Sequence, residues 1–498
     1  MKKIILLLTI TCVFYNSCSL DTIPTDRYVE SSFWKNEQQL NAGLTACYHT
    51  LRNDNMYGGY ASAIYSETIT PNGYMYDNTQ GFGVIGKGTH TPSNSTIING
   101  KWGACYQGIG RCNTFLVQIE NFELDTDRKN SMIGQVKFLR ALYYFELVNY
   151  YGTAPLILDP PNIDTQKDLP RDSKEKLITQ ILADLTDATN LLPDSYSASG
   201  DDGRPTQWAA YGLIARVHLY NANWQGAEEA AKKVIDSGKF SLFPNYREIF
   251  GRDNEGNSEV VFDIQFLNPN FKHSMDLIMR QYNTCAPLLD LVKAYDMKDG
   301  TPYDDSKPLY EDRDPRFYQT VIYPGTTYMG IPVDNDRFKF TGYTFIKFSV
   351  YDTEYVAEYD WNDINYIYMR YADVLLMFAE ARNEKLGSPD AEVYNALNQL
   401  RDRETVKMPL FDIAKNYSKD EMRQIIRHER RIELAGEGLY YHDIRRWGIA
   451  KDMMNGPIYK YDGSTIETRV FQDKDYLWPV PEVETKENPN LLPNNPGW

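Results

Sequence analysis

The chain is poor in cysteine and histidine, with six of each in 498 residues. Cys12 and Cys18 fall near the N-terminus, leaving Cys47, Cys105, Cys112 and Cys285. None forms a CxxC pair or adjoins a His-rich stretch, so a zinc site is not expected. If Cys105 and Cys112 share a helix they lie about 10 Å apart, too far for a disulfide. Buried thiols are expected instead. His428-Glu429 lacks the second histidine of HExxH. GxSxG is absent, and no histidine pairs with a Ser or Cys nucleophile. These motifs therefore single out no catalytic group, no cofactor and no metal. A glycoside hydrolase stays open as a weaker alternative, because carboxylates are abundant, yet nothing singles out a catalytic pair. Basic charge is also short: Lys+Arg 52 against Asp+Glu 68, a formal net charge of -16. Nucleic-acid binding needs a basic footprint, so no such partner is expected. No segment approaches the ~20 apolar residues of a membrane-crossing helix. Gly81 to Gly88, GFGVIGKG, contains GxGxxG and misses a P-loop by one position. Its flanks read as loop rather than strand and helix, which argues against a phosphate cradle.

What is present begins at the N-terminus. Lys2 and Lys3 precede a short apolar run, Ile4 to Val13, followed by Ser17-Cys18-Ser19. This is an export signal and not an anchor helix. A small residue before a cysteine resembles a bacterial lipoprotein signal, although Tyr15 and Asn16 replace the usual apolar and small residues. Residues 1–17 are read as the signal peptide, Cys18 as the acylated residue, and 18–498 as one domain.

Tyrosine is abundant: Tyr 38 against Phe 21 and Trp 8. A phenol has an apolar face and a hydrogen-bonding tip, which matches the C–H faces and hydroxyls of sugars. Apolar residues recur at helical spacing over Gln135–Tyr151, Lys174–Leu192, Arg204–Asn221, Trp224–Ser237, Tyr371–Lys385, Pro389–Arg401 and Lys419–Ala435. Within Thr206–Ile235, Trp224, Ala227 and Ala231 follow the spacing of a tetratricopeptide unit of roughly 34 residues, and such units stack. Val260–Phe266 and Gly342–Val350 read as strands. Thr68–Lys101 and Asp299–Trp361 read as loop-rich excursions. In the helix around residues 427 to 433, Glu429 and Glu433 share a face and its arginines are expected to pair with them.

These residues together resemble the SusD/RagB family of outer-membrane nutrient-binding lipoproteins. The resemblance runs from LDTIPTDRY after Cys18, through Trp102–Asn113 and QVKFLRALYYFELVNYYGTAPL, to RYADVLLMFAEARNE from Arg370, RHERRIELAGEGLYYHDIRRW from Arg427 and the final YLWPVPEVETKENPNLLPNNPGW. It implies a mostly α fold of tetratricopeptide-like helical hairpins carrying an irregular ligand-binding face. It implies a glycan ligand, or in a subset a peptide, and no catalysis. It implies a place at the outer membrane as the lid of a TonB-dependent transporter. Arg370, Glu380, Arg427, Glu429 and Arg431 belong to its scaffold stretches. By location, the ligand residues are expected among Asn72, Tyr74, Tyr76, Asp77, Asn78, Tyr328 and Trp361, with Tyr303 nearby.

Overall fold

The computed structural model describes residues 33–58, 63–197, 200–334, 336–354 and 362–498. Cys18, the signal sequence and Trp361 lie outside the described residues. The chain divides into two compact units, residues 1–43 and 44–498. In the first, the Asn36 side chain accepts from the Gln39 N–H at 3.0 Å. That opens helix α1 (Glu37–His49), which continues into the second unit.

The second unit is built on helices with clear stop and start signals. α2 spans Thr96–Gln118. α3 spans Thr126–Tyr151, opened by the Asp125 carboxylate on the N–H groups of Asp127 and Arg128 and ended by Gly152 at φ 76. α4 (Lys174–Leu191) and α5 (Gln207–Tyr220) are capped by Ser173 and Thr206, and α6 (Trp224–Asp236) by Asn223. Then come α7 (Tyr371–Leu386), α8 (Ala391–Arg401) with Asp390 as its cap, and α9 (Lys419–Glu433), opened by a Ser418–Glu421 capping box. Such side-chain oxygens satisfy the orphan N–H groups of a first turn. α3 begins at Thr126 rather than Gln135, because its first turns are polar and show no apolar period.

Each helix packs on the next: α2 on α3, α3 on α4, α4 on α5, α5 on α6, α6 on α7, and α7 on both α8 and α9. The apolar face of one hairpin is thus buried by its neighbour, the arrangement of a helical solenoid. Ala227 and Ala231 are fully buried in the α5–α6 hairpin, as their spacing predicts. Between α6 and α7 the chain leaves the stack. Strand Val260–Ile264 pairs antiparallel with Tyr366–Arg370 and closes the base of this excursion. The remaining thiols, Cys47, Cys105, Cys112 and Cys285, are free and buried. Among the described residues no helix is long and apolar enough to cross a membrane.

Two loop and strand expectations change. Thr68–Lys101 is largely folded and buried, not a surface loop. Gly73–Tyr74 pairs with Ala286–Pro287, and GFGVIGKG forms a short helix, Phe82–Lys87, flanked by Gly81 (φ 83) and Gly88 (φ 74). A Cβ at Gly88 would strike the Val470 carbonyl, so this glycine serves close packing. Of Gly342–Val350 only Thr344–Phe345 is strand, paired with Val321–Ile322. Both sides of this stretch are covered, with Phe345, Ile346, Lys347, Phe348 and Ser349 all buried. The alternation therefore does not mark an inner and an outer face.

A buried ionic network ties the excursion to the helices. Arg316, from the excursion, reaches Asp314 at 2.8 Å, Glu429 at 2.5 Å and Glu433 at 2.9 Å. Arg370 contacts Glu259 at 2.6 Å, Glu433 at 2.8 Å and Glu437 at 2.7 Å. Arg403 bridges Glu259 and Glu433, Arg401 meets Glu429, and Lys347 meets Glu437. Burial alone would raise the Glu433 carboxyl, but Arg403, Arg370 and Arg316 override it and hold it well below the usual range. The partners of Glu429 and Glu433 are not the arginines of α9. Arg430 pairs with Asp373 and Asp443, and Arg431 with Asp290. Arg431 is two residues from both glutamates and so does not face them. Arg430 is three from Glu433, but Asp373 and Asp443 take its guanidinium instead. Removing one partner of a buried pair leaves the other charge stranded, at about 3–5 kcal/mol. Arg316→Ala should lose about that much stability in urea unfolding; a loss near zero would show that the network does not hold the excursion down.

Candidate ligand-binding face

The expected residues separate into a buried base and an open face. Asn72 is fully buried. Its Nδ2 donates to Glu67 at 2.9 Å, and its Oδ1 accepts from the Arg431 Nε at 2.8 Å. The other Glu67 oxygen accepts from the Gly438 N–H at 3.1 Å. Arg469 donates to the carbonyls of Thr70 at 2.8 Å and Gly73 at 3.0 Å. Residues 70–73 are therefore pinned from the C-terminal segment, and the buried Asn72 amide is turned to Glu67 and Arg431 rather than to a ligand. Tyr74 is buried just beyond this base, and Tyr328 is 0% exposed within a cluster of Ile322, Met329, Val333, Phe338, Ile346 and Tyr351. A sugar stacks on an open ring face, and neither ring offers one. Tyr303 is half-buried beneath the Arg313 guanidinium, 4.3 Å from its ring centre.

Tyr76, Asp77 and Asn78 do reach the surface. Tyr76 is half-buried and stacks on Phe340, with ring centres 3.7 Å apart and planes 6° from parallel. Asp77 holds the turn by accepting from the N–H and hydroxyl of Thr79. Asn78 is exposed and accepts from the Val84 N–H.

The structure adds rings that the sequence did not single out. Tyr282 is 50% exposed. It lies close enough that its charge, after burial and Asp77, raises the Tyr76 phenol above its ordinary value. A second platform follows: Tyr310 stacks on Tyr323 at 4.5 Å, and Tyr318 lies 6.2 Å from Tyr323, with buried Phe317 behind. The Tyr310 and Tyr343 hydroxyls are 3.0 Å apart. Phe340 and Tyr343 belong to one short segment, so the two platforms are joined. Tyr461 packs against Gly342, and its N–H donates to the Thr341 carbonyl at 2.9 Å. Burial first, then Tyr318 and Tyr310, pushes the Tyr323 phenol up to about 12. The Tyr323 phenol therefore stays neutral and can donate to hydroxyl oxygens. The density of tyrosine over 310–323 was a usable signal. Tyr282, Phe340 and Tyr461 are brought together only by the tertiary fold.

Half-buried and exposed aromatic rings of this kind match the C–H faces and hydroxyls of carbohydrate. Residues 248–498 match the SusD family, and residues 20–219 match a family described as starch-binding, associating with the outer membrane. The chain belongs to the SusD family. The SusD-like protein P2 of Formosa agariphila is 26% identical, over 99% of this chain and 98% of its own. A SusD-like carbohydrate-binding protein from Bacteroides fragilis superposes with a TM-score of 0.85 at 27% identity, covering 92% of this chain and all of the other. A laminarin-binding SusD-like protein has the same fold, with a TM-score of 0.71 at 24% identity over 93% of this chain and all of the other. The SusD fold accounts for the helical stack and for the excursion between α6 and α7 that carries most of the rings.

Glu67 gives the base of the face a testable pH signature. Burial, partly offset by Asn72 and Gly438, pushes its carboxyl up to about 7. The folded chain therefore binds this proton at pH values where the unfolded chain, near its ordinary value of about 4.3, does not. Its contribution to stability grows as pH falls from about 8 towards 4.5, by up to about 3 kcal/mol. Glu67→Gln removes that term. The urea stability of the variant relative to the parent should thus shift in the variant's favour between pH 5 and pH 8; parallel curves would show that Glu67 does not titrate as its burial requires.

Proposed function

We propose that this SusD-family chain is a cell-surface glycan-binding lipoprotein. It captures oligo- or polysaccharide and passes it to a TonB-dependent transporter in the outer membrane. The observation that carries this reading is the joined pair of aromatic platforms, Tyr76–Phe340 with Tyr282 and Tyr310–Tyr323 with Tyr318. Pyranose rings stack on such surfaces through their C–H faces, while phenol hydroxyls and the nearby Asp77 and Asn78 address sugar hydroxyls. The carbohydrate- and laminarin-binding relatives support the same ligand class. A peptide ligand of the same architecture would draw on backbone contacts and charge, and the face is built instead of rings. The chain binds its ligand without turning it over. Residues 1–17 act as the signal peptide, 18–498 form the mature domain, and lipid on Cys18 holds it at the membrane. Acyl chains insert with about 0.8 kcal/mol per methylene, so more than one gives lasting attachment.

Glycan-array binding followed by calorimetry tests the site. Truncating an anchor ring costs 2 kcal/mol or more, about thirtyfold in affinity. Tyr76→Ala and Tyr310→Ala should each show that loss with an unchanged melting temperature. Tyr328→Ala should instead lower the melting temperature, since its ring fills a core. Full affinity in both surface variants would remove the face as the site. For the anchor, Cys18→Ala should move the protein from the detergent to the aqueous phase or leave it unprocessed. Unchanged partitioning would contradict lipidation.

A further inference from the structure

The charges around the aromatic face narrow the glycan class, resting on the reading of that face as the glycan site. Sulfate and carboxylate groups on a glycan are read most specifically by arginine, whose planar fork meets two oxygens at once. The arginines of the segment from 300 to 343, which carries the second platform and Phe340, are already committed elsewhere. Arg313 donates to the carbonyls of Leu309, Val292 and Tyr295. Arg316 lies in the buried network. Arg337 donates to the carbonyls of Tyr328 and Ile331, both at 2.8 Å. Two lysines near the second platform are drawn to acids: Lys293 meets Asp305 at 2.5 Å, and Lys307 lies 4.0 Å from Asp304. Lys339 sits over Phe340, its ammonium 5.3 Å from the ring centre.

The acids of these loops face outward. Asp304 and Asp305 have side chains 57% and 77% exposed, Glu311 and Asp312 are exposed, and Asp77 is half-buried beside Tyr76. Asp304 and Asp305 are offset by their lysines. That leaves Glu311 and Asp312, next in sequence to Tyr310, and Asp77, next to Tyr76, as the carboxylates an anionic chain on the platforms would meet. Such a chain would also approach a molecule of net charge -16, which repels polyanions at longer range. A neutral chain meets no such barrier and keeps all the stacking.

We infer that the face takes an uncharged glycan and rejects uronate- and sulfate-bearing polymers. The test is binding of the purified protein to immobilised neutral polysaccharides (laminarin, starch, xyloglucan, mannan) and anionic ones (alginate, polygalacturonate, carrageenan). Salt is raised from 0.1 M to 1 M, which shortens the screening length from about 10 Å to about 3 Å. The expected result is binding within the neutral set, changed less than about twofold by salt because no ion pair is made across the interface. Binding to an anionic polymer, alone or alongside a neutral one, overturns the inference and leaves the glycan reading standing. It would carry a loss of about tenfold or more at high salt if ion pairs drive it. Binding to none of the panel counts against the glycan reading itself, and the inference falls with it.

Discussion

The buried ionic network is the constraint on which the rest of this structure depends. Glu433 is its hub, reached by Arg316 from the excursion, Arg370 from the end of the strand pair and Arg403 from beyond α8. The cations Arg316, Arg370, Arg401, Arg403 and Lys347 face the carboxylates Asp314, Glu259, Glu429, Glu433 and Glu437 one for one. Well-packed apolar residues of the same volume could be as stable or more so, because desolvating so many charges offsets much of their attraction. What ions add is register. An apolar contact tolerates a shift of an ångström, whereas a guanidinium bridging two carboxylates does not. That matters here because, beyond the strand pair at its base, the described part of the excursion between α6 and α7 is built of two-residue ladders and short helical turns. Its position is set by what it is pinned to.

The same logic extends to the ligand face. Its rings come from residues near 76, from 282, from 310–323 and from 340–343, with Tyr461 behind. None of these segments has enough regular structure to hold itself. The Tyr76 segment starts from a base held by Arg431 and Arg469. The Tyr310–Tyr323 segment contains Arg316 and so hangs from the network directly. A stacking surface needs rings at fixed positions and tilts, since a mobile ring loses the ordering entropy on binding. On the proposed reading of this face, buried charge in the scaffold serves recognition by fixing the rings.

The helical part of this architecture was legible in the sequence. Helix ends fell within a few residues of Lys174, Trp224, Tyr371 and Lys419, because caps and apolar period act locally. The ligand face was legible only as a region. Composition pointed to tyrosine, but tyrosine also fills the core: Tyr65, Tyr143, Tyr144, Tyr151, Tyr246 and Tyr295 are among the largest fully buried side chains. An amphipathic ring reads the same in sequence whether its hydroxyl meets water or a buried carbonyl, as Tyr143 meets Cys47 and Tyr246 meets Glu433. Tyr328 carries that ambiguity and lies in a buried cluster, whereas Phe340, with no polar tip to mark it in sequence, stacks on Tyr76. The glycines of GFGVIGKG show the same limit, since a turn that cradles phosphate and a turn that lets Val470 approach use one composition.

Arg431 joins the two halves of the argument. Its neighbours in sequence mark it as scaffold, and its charge is indeed held by a partner, Asp290. It also stacks over Tyr440 at 5.0 Å and donates to Asn72, the residue that anchors the Tyr76 loop. A residue in that position has no separate structural and functional parts. Loss of its guanidinium removes a stabilising ion pair, and it also frees the Asn72 amide that Glu67 and Arg431 hold in one orientation. Arg431 thus couples the scaffold to the base of the proposed face, unlike Arg430, whose partners are Asp373 on α7 and Asp443 beyond α9. The proposed face and the scaffold meet at one amide, and its orientation is set by the buried Glu67 on one side and the partly buried Arg431 on the other.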